Sequence, residues 1–330
     1  MPARQRAAAD PRITPERFRA AVAALAPDLG GRVALAVSGG PDSLALLLLA
    51  HRAGFDVAAL TVDHGLRPEA AAEARHVAAI CAGLGVPHVT LAVDVPRTAS
   101  VQAAARAARY AAMADWCDFH GAAWLMTAHH ADDQAETLLM RLSRGSGLGG
   151  MAGIRAQRAV EGHAVTLLRP LLGARKGDLA ALVAEAGLSA VDDPSNRSDA
   201  YDRTAVRALL AGGGIDAAAA AATAAHLAEA EAALAWVADE AWAGRASVSG
   251  EAVTLDARGL PAELARRLAL RAFRQVSGVE PEGPALRRLL ADLAAGRGGT
   301  LGGVLAEGGA VWRFRPEPPR RAAKQPAPAE

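Results

Sequence analysis

The segment Val33-Ala34-Leu35-Ala36-Val37-Ser38-Gly39-Gly40-Pro41-Asp42-Ser43-Leu44 constrains the fold more than any other stretch of the chain. A short β-branched apolar run reads as a buried parallel strand. A Ser-Gly-Gly turn follows it without a spacer. A helix then opens, with Pro41 and Asp42 in its first turn and the apolar run Leu44 to Ala50 behind them. Strand, glycine turn and helix N-terminus together bind phosphate: the glycines let backbone N–H groups approach an anion, and the helix dipole favours negative charge there. The lysine of a Walker A loop is absent, since no Gly-Lys-Ser or Gly-Lys-Thr occurs.

Around this element the chain alternates strand and helix. Strand candidates are Arg32–Ser38, Val57–Val62, His88–Val93 and Ala123–Thr127, and helix candidates are Asp42–Ala53, Pro68–Leu84, Ser100–His120 and Asp132–Leu142. Gly54, Gly85, Pro87 and Gly121 punctuate them where helices should stop. A further βα unit covers Val165–Gly187 and leads into the turn Asp192-Asp193-Pro194-Ser195-Asn196. Such alternation predicts an α/β fold, a Rossmann-like parallel sheet with helices on both faces. Ligands sit beyond the carboxyl ends of the strands in such sheets. Ser38–Ser43, Asp63–His64 and Ala128–Asp133 all lie at such ends and are expected to converge on one cleft.

At 330 residues there is room for a second domain. The composition changes near Gly212-Gly213-Gly214, so the reading is a catalytic domain over 1–213, a mainly helical domain over 214–315 and a disordered, proline-rich tail over 316–330. An N-terminal helix capped by Thr14 with Pro15 at its first position is expected in place of a signal peptide. No apolar run is long enough to span a bilayer. The net charge of +1 predicts no global attraction to nucleic acid, so an RNA surface has to come from local clusters. Arg266, Arg267 and Arg271, and Arg287 and Arg288, are such clusters in the second domain. Cys81 and Cys117 are the only cysteines. They exclude a cysteine-rich zinc site or a Cys-ligated iron–sulfur cluster within the chain and fit a reducing cytoplasm.

A second constellation is Ala128-His129-His130-Ala131-Asp132-Asp133-Gln134-Ala135-Glu136-Thr137, which follows the fourth strand and opens a helix. Asp133 and Glu136 stand at i, i+3 and share a helix face. The acids suit a helix N-terminus on dipole grounds alone. Aimed into a cleft that holds a nucleotide, they would also suit Mg²⁺ or an ammonium group. Adjacent histidines project apart, and nothing nearby completes a zinc shell. A third constellation is Arg106 and Arg109, also i, i+3 neighbours, whose guanidinium forks fit phosphate.

Ser38-Gly39-Gly40-Pro41-Asp42-Ser43 resembles the PP-loop of the ATP pyrophosphatases, which split ATP between the α- and β-phosphates. Over roughly residues 32–207 the resemblance sharpens to the tRNA(Ile)-lysidine synthases. It rests, in order, on the PP-loop, Asp63-His64-Gly65-Leu66-Arg67, Ala105-Arg106-Ala107-Ala108-Arg109-Tyr110 and His129-His130-Ala131-Asp132-Asp133-Gln134-Ala135-Glu136-Thr137. Arg144-Gly145-Ser146-Gly147-Leu148, Arg169-Pro170-Leu171-Leu172, Asp193-Pro194-Ser195-Asn196 and Tyr201-Asp202-Arg203 complete it. Gln102 departs from the family's usual glutamate; Thr204, directly after Arg203, departs from its usual asparagine, which bears on Arg203 and Arg207.

The resemblance implies ligation of L-lysine to C2 of the wobble cytidine in the CAU anticodon of tRNA(Ile), by way of an adenylated cytidine. It implies ATP and Mg²⁺ as cofactors. Ser38, Gly39, Gly40, Pro41, Asp42 and Ser43 would hold the nucleotide, and Asp42 and Asp133 the metal. Asp42, Arg109, His130, Asp133 and Glu136 would be catalytic, and Asp133, Glu136, Arg144, Arg203 and Arg207 would bind substrate. Oligomeric state, a homodimer included, stays open. Two rival readings share the scaffold. A tRNA 2-thiolation enzyme usually relays sulfur through paired cysteines, which this chain lacks, and a nucleotide-binding sensor would release no pyrophosphate.

Overall fold

The computed structural model describes residues 13–63, 70–93, 101–191, 201–212 and 214–318, with backbone alone at 101–103, 201–204 and 211. His64–Arg67, Asp192–Asn196 and the tail from 319 lie outside the described residues, as do the side chains of Gln102, Arg203 and Thr204.

Helix α1 (Pro15–Leu25) begins as its sequence dictates: the Thr14 hydroxyl accepts from the Arg17 N–H at 3.3 Å and Pro15 takes the first position. Helix α2 (Pro41–Arg52) is the hub of the first unit. Its apolar residues run all round the helix, and every residue from Ser43 to Ala50 is buried. A helix apolar on all sides has to lie inside, and full burial of each leucine stabilises by about 1.5–3 kcal/mol.

The sheet beside it has six strands in the order β3 (His88–Ala92), β2 (Val57–Asp63), β1 (Val33–Ala36), β4 (Trp124–Met126), β6 (Thr166–Leu168) and β5 (Gln157–Ala159). All neighbours pair in parallel except β5 with β6. Val33 stands opposite both Val57 and Trp124, so β1 is central. On one face α1, α2, α3 (Ala70–Leu84) and α7 (Lys176–Glu185) close one apolar cluster, and on the other α4 (Val101–His120) closes a second through Tyr110, Met113, Ala114 and Cys117. The expected doubly covered sheet is present. Cys81 and Cys117 lie one on each side, fully buried, and burial pushes their thiols up to about 11 and about 12. From β1 the chain moves outward to β2 and β3, then crosses to β4 on the opposite side. That reversal opens a crevice at the carboxyl ends of β1 and β4.

Among the described residues, two compact units divide between Ala228 and Glu229. Composition placed the change near Gly213, whereas packing carries the first unit into α9 (Ala217–Arg245). Ala217 and Ala220 pack with Ala135 and Leu138 of α5 (Ala131–Ser143), so the start of α9 belongs to the first core.

In the second unit helix is the larger share, set against a five-stranded antiparallel sheet of β7 (Ala246–Ser249), β8 (Ala252–Asp256), β11 (Val311–Pro316), β10 (Val304–Glu307) and β9 (Gly298–Leu301). Helices α10 (Ala262–Ser277) and α11 (Gly283–Ala294) share its core, where Phe273 meets Phe314 edge-on at 5.6 Å. Sequence reading anticipated β7 and β8 but not β9–β11. Their signal was the Gly302-Gly303 hairpin, whose positive φ values of 55° and 76° suit a two-residue turn. The arginines of α10 also differ from expectation. Arg266 pairs with Glu263 at 2.6 Å, Arg267 with Glu231 at 2.6 Å and Arg271 with Asp239 at 2.6 Å. These charges are neutralised within the unit and are not a free basic patch. Arg287 and Arg288 of α11 are exposed. Among the described residues no helix is long and apolar enough to cross a membrane.

Candidate active site

The phosphate-binding turn is built as its residue types require. Gly39 has φ +86°, and an added Cβ there would lie 3.2 Å from both Val77 and Val191 side chains. Only glycine meets both the left-handed backbone and the space. Gly40 caps α2 with extended backbone and supplies no side-chain cap, so nothing of its own covers the first N–H groups of the helix. Inside the turn, the Ser43 hydroxyl donates to the Gly40 carbonyl at 3.0 Å and accepts from the Ser38 N–H at 3.2 Å. The Val191 N–H donates to the Gly39 carbonyl at 2.9 Å. The loop is therefore held in shape before any ligand arrives.

Asp42 points from α2 toward the start of α5. Its Oδ2 lies 3.5 Å from His130 Nε2, and its Oδ1 is buried with no hydrogen-bond partner among the described residues. His130 is the N-cap of α5 in a reciprocal capping box. Its Nδ1 accepts from the Asp133 N–H at 3.3 Å, while its own N–H donates to Asp133 Oδ2 at 3.0 Å. That acceptor role at Nδ1 leaves the ring proton on Nε2, toward Asp42 and toward Asp133 Oδ2 at 3.6 Å. Burial alone would lower the His130 pKa, yet Asp42, Asp133 and Asp132 outweigh it and raise it above the ordinary histidine value.

The other acids diverge. Asp132 Oδ2 accepts from the Lys176 N–H at 2.8 Å and so serves the start of α7. Glu136 is buried, and its Oε1 accepts from Arg207 Nε at 2.8 Å on α8 (Tyr201–Ala211). The shared helix face expected for Asp133 and Glu136 thus has two kinds of partner along it. Gln134 clamps the following segment, accepting from the Ile154 N–H at 2.7 Å and donating to its carbonyl at 2.9 Å.

His129 faces away from its neighbour. Its Nδ1 lies 3.0 Å from the Thr127 hydroxyl. Burial first, and then Arg169, Arg106 and Arg109, lower its pKa to about 3, so it is neutral at physiological pH. Below the unfolded-state value of ~6.5 the unfolded chain takes up a proton that folded His129 refuses, down to about 3. Stability therefore falls with acid across that window. His129→Gln is expected to flatten the melting temperature between pH 6.5 and pH 4 relative to the parent; parallel curves would contradict the assignment.

Residues 15–212 match the family model described as the PP-loop domain. The chain is 47% identical over 304 residues to a tRNA(Ile)-lysidine synthase of Zymomonas mobilis, covering 91% of this chain and 92% of that one. It is 48% identical over 321 residues to a tRNA(Ile)-lysidine synthase of Novosphingobium aromaticivorans, covering 94% and 96%. The chain belongs to the tRNA(Ile)-lysidine synthase family. It is an enzyme of the PP-loop class, a ligase. The fold also resembles that of a U34-tRNA thiolase from Methanococcus maripaludis, with TM-score 0.54 and 16% identity over 65% of this chain and 77% of that one.

For a lysidine synthase the expected site residues are partly gathered. Ser38–Ser43, Asp42, His130 and Asp133 meet at the β1–β4 crevice. Glu136 sits one turn further along α5 with Arg207, and Arg109 lies against the Tyr110 ring, its guanidinium carbon 5.5 Å from the ring centre. Arg144 is the C-cap of α5 and exposed. Two residues were missed as site candidates. His129 gave no signal that separates it from His130 in sequence. Arg169 lies directly after β6, a strand end that parallel-sheet logic marks. Among the described residues no group of three or more His, Cys, Asp or Glu side chains is able to hold a metal. Asp42 and Asp133, with one open buried oxygen, instead fit a Mg²⁺ whose remaining ligands are phosphate and water.

Proposed function

We propose that this protein joins L-lysine to C2 of the wobble cytidine in the CAU anticodon of tRNA(Ile), using ATP. The observation that carries the reading is the meeting of two helix N-termini, α2 and α5, at one crevice, with the open oxygen of Asp42 between them. In the first step the cytosine O2 attacks the α-phosphorus, the bond to the bridging oxygen breaks, and pyrophosphate leaves. Backbone N–H groups of Ser38–Ser43 stabilise the growing phosphate charge. Mg²⁺, when bound at Asp42 and Asp133, would neutralise phosphate oxygens. In the second step the lysine ε-amine attacks C2 and AMP leaves with the former O2.

The amine has to be neutral to attack, while free lysine ionises near ~10.4. Asp133 and Glu136 are the acids available to anchor the ammonium and accept its proton. Arg207 occupies Glu136 in the structure at 2.8 Å, so an incoming ammonium competes with that guanidinium. The anticodon loop presents an unstacked base at low cost. Sulfur relay is disfavoured, since burial holds both thiols far above the pKa of a reactive cysteine. The direct test is AMP and pyrophosphate formation with and without lysine and unmodified tRNA(Ile). Product dependent on both supports ligation; no pyrophosphate under any condition would leave only a nucleotide sensor.

The second unit is proposed to hold tRNA. With the α10 arginines neutralised, Arg287 and Arg288 are its exposed charges on α11 with no acidic partner among the described residues. Arg287→Gln/Arg288→Gln is expected to weaken tRNA binding and make the log K against log salt slope shallower by about 1 to 2, as each lost phosphate contact does. An unchanged slope would remove these residues from the interface.

A further inference from the structure

A chain of hydrogen bonds reaches the phosphate loop from one edge of the sheet. β3 is the edge strand and His88 is its first residue. His88 Nε2 lies 2.9 Å from the Thr61 hydroxyl on β2. Thr61 is 6% exposed, and its hydroxyl donates to the Val37 carbonyl at 2.8 Å. Val37 lies just past the paired part of β1, which ends with Ala36 opposite Leu60. Its N–H still donates to the Leu60 carbonyl at 2.9 Å, while its carbonyl is taken by the Thr61 side chain. Across the same peptide, the Ser38 N–H donates to Ser43 Oγ at 3.2 Å, and that hydroxyl donates to the Gly40 carbonyl at 3.0 Å. The Ser38 hydroxyl also lies 3.4 Å from Ser43 Oγ.

A threonine hydroxyl has one proton to give. Thr61 gives it to Val37, so its oxygen is left as an acceptor and His88 carries its proton on Nε2. Burial lowers the His88 pKa, which favours the neutral ring. Every bond then points the same way, from His88 through Thr61, the Val37–Ser38 peptide and Ser43 to Gly40. Bonds in such a series polarise one another. The bond at the Val37 carbonyl also fixes the plane of the Val37–Ser38 peptide, whose N–H is the one that holds Ser43. That peptide is where the strand becomes the loop. Gly39 follows with φ +86° and has no side chain to steady the turn. A loop already held in its binding shape loses less freedom on association and binds more tightly.

We propose that Thr61, oriented by His88, is a positioning residue for nucleotide binding. Its hydroxyl holds the Val37–Ser38 peptide and so sets the phosphate loop in the shape that receives the anion. This rests on the nucleotide-binding reading above. Thr61 acts through the loop and does not itself touch phosphate.

The test is calorimetric binding of Mg²⁺–ATP to the full chain, without tRNA or lysine, in the parent, Thr61→Val and Thr61→Ser. Thr61→Val keeps the shape of the side chain and removes the hydroxyl. Its ATP affinity is expected to fall about threefold to tenfold, the range for one neutral hydrogen bond. Thr61→Ser returns the hydroxyl and is expected to bind like the parent. The melting temperature of Thr61→Val should fall in either case, because the buried Val37 carbonyl loses its partner, so the decision rests on affinity. Unchanged ATP affinity in folded Thr61→Val would make Thr61 a residue of the sheet alone and overturn the proposal. Weaker binding that Thr61→Ser does not restore would mark a packing defect and overturn it equally. If Thr61→Val does not fold, His88→Phe carries the test. It removes the N–H at a half-buried position and leaves the Thr61–Val37 bond, so a smaller loss of ATP affinity is expected, and no loss would overturn the chain. A parent protein that binds no Mg²⁺–ATP would sink the nucleotide reading itself, and that failure is seen before any variant is compared.

Discussion

Asp42→Ala is expected to lower pyrophosphate release by at least ~10²-fold while the protein stays folded, on the scale of losing one preorganised electrostatic group. The geometry separates this outcome from a stability defect. Among the described residues, one carboxylate oxygen of Asp42 is buried with no hydrogen-bond partner, and the other lies 3.5 Å from His130 Nε2. Removing an unsatisfied buried acceptor relieves a desolvation cost, so little stability is lost. The same change takes away one of the carboxylates that raise the His130 pKa, so His130 should titrate lower in the variant. A steady-state AMP assay paired with a melting curve reads both effects. Turnover close to that of the parent protein would refute the role of Asp42.

Glu136→Gln is expected to raise the apparent KM for lysine by roughly tenfold to a hundredfold, with much less change for ATP. The scale is about 1.5–3 kcal/mol for a charged hydrogen bond. The buried carboxylate lies one turn into α5 from the crevice and is paired with Arg207 at 2.8 Å. A purely structural Glu136 would tie α5 to α8. It would give a lower melting temperature and an unaltered lysine KM, which would sink the assignment. Asp133→Asn is the companion. Asp133 closes the capping box with His130, so this variant loses about 1 kcal/mol of helix stability. If Asp133 also holds Mg²⁺, the KM values for lysine and ATP should both rise.

Much of this protein was legible in its sequence because the signals are local. The strand, the Ser38-Gly39-Gly40 turn and the start of α2 lie within a dozen residues, and each step is dictated by backbone chemistry. Thr14 and Pro15 mark α1 in the same way, and the β/α alternation of the first unit follows from hydrophobic period and glycine punctuation. Parallel-sheet logic then brings Asp42 and the His129–Glu136 segment to one crevice without any knowledge of side-chain positions.

What the tertiary structure alone decided is how each charge is used. Glu136 meets Arg207 and Asp132 meets the Lys176 N–H, partners that lie far away in sequence. His129 and His130 are neighbours in the chain, yet one is half-buried near arginines and held neutral while the other is surrounded by carboxylates and favours its proton. The α10 arginines read as a basic cluster until Glu231 and Asp239 of α9 fold against Arg267 and Arg271. Hydrophobic period specifies which face of an element is buried. It does not specify which opposite charge another element brings to that face, because that depends on contacts closed only when distant segments pack.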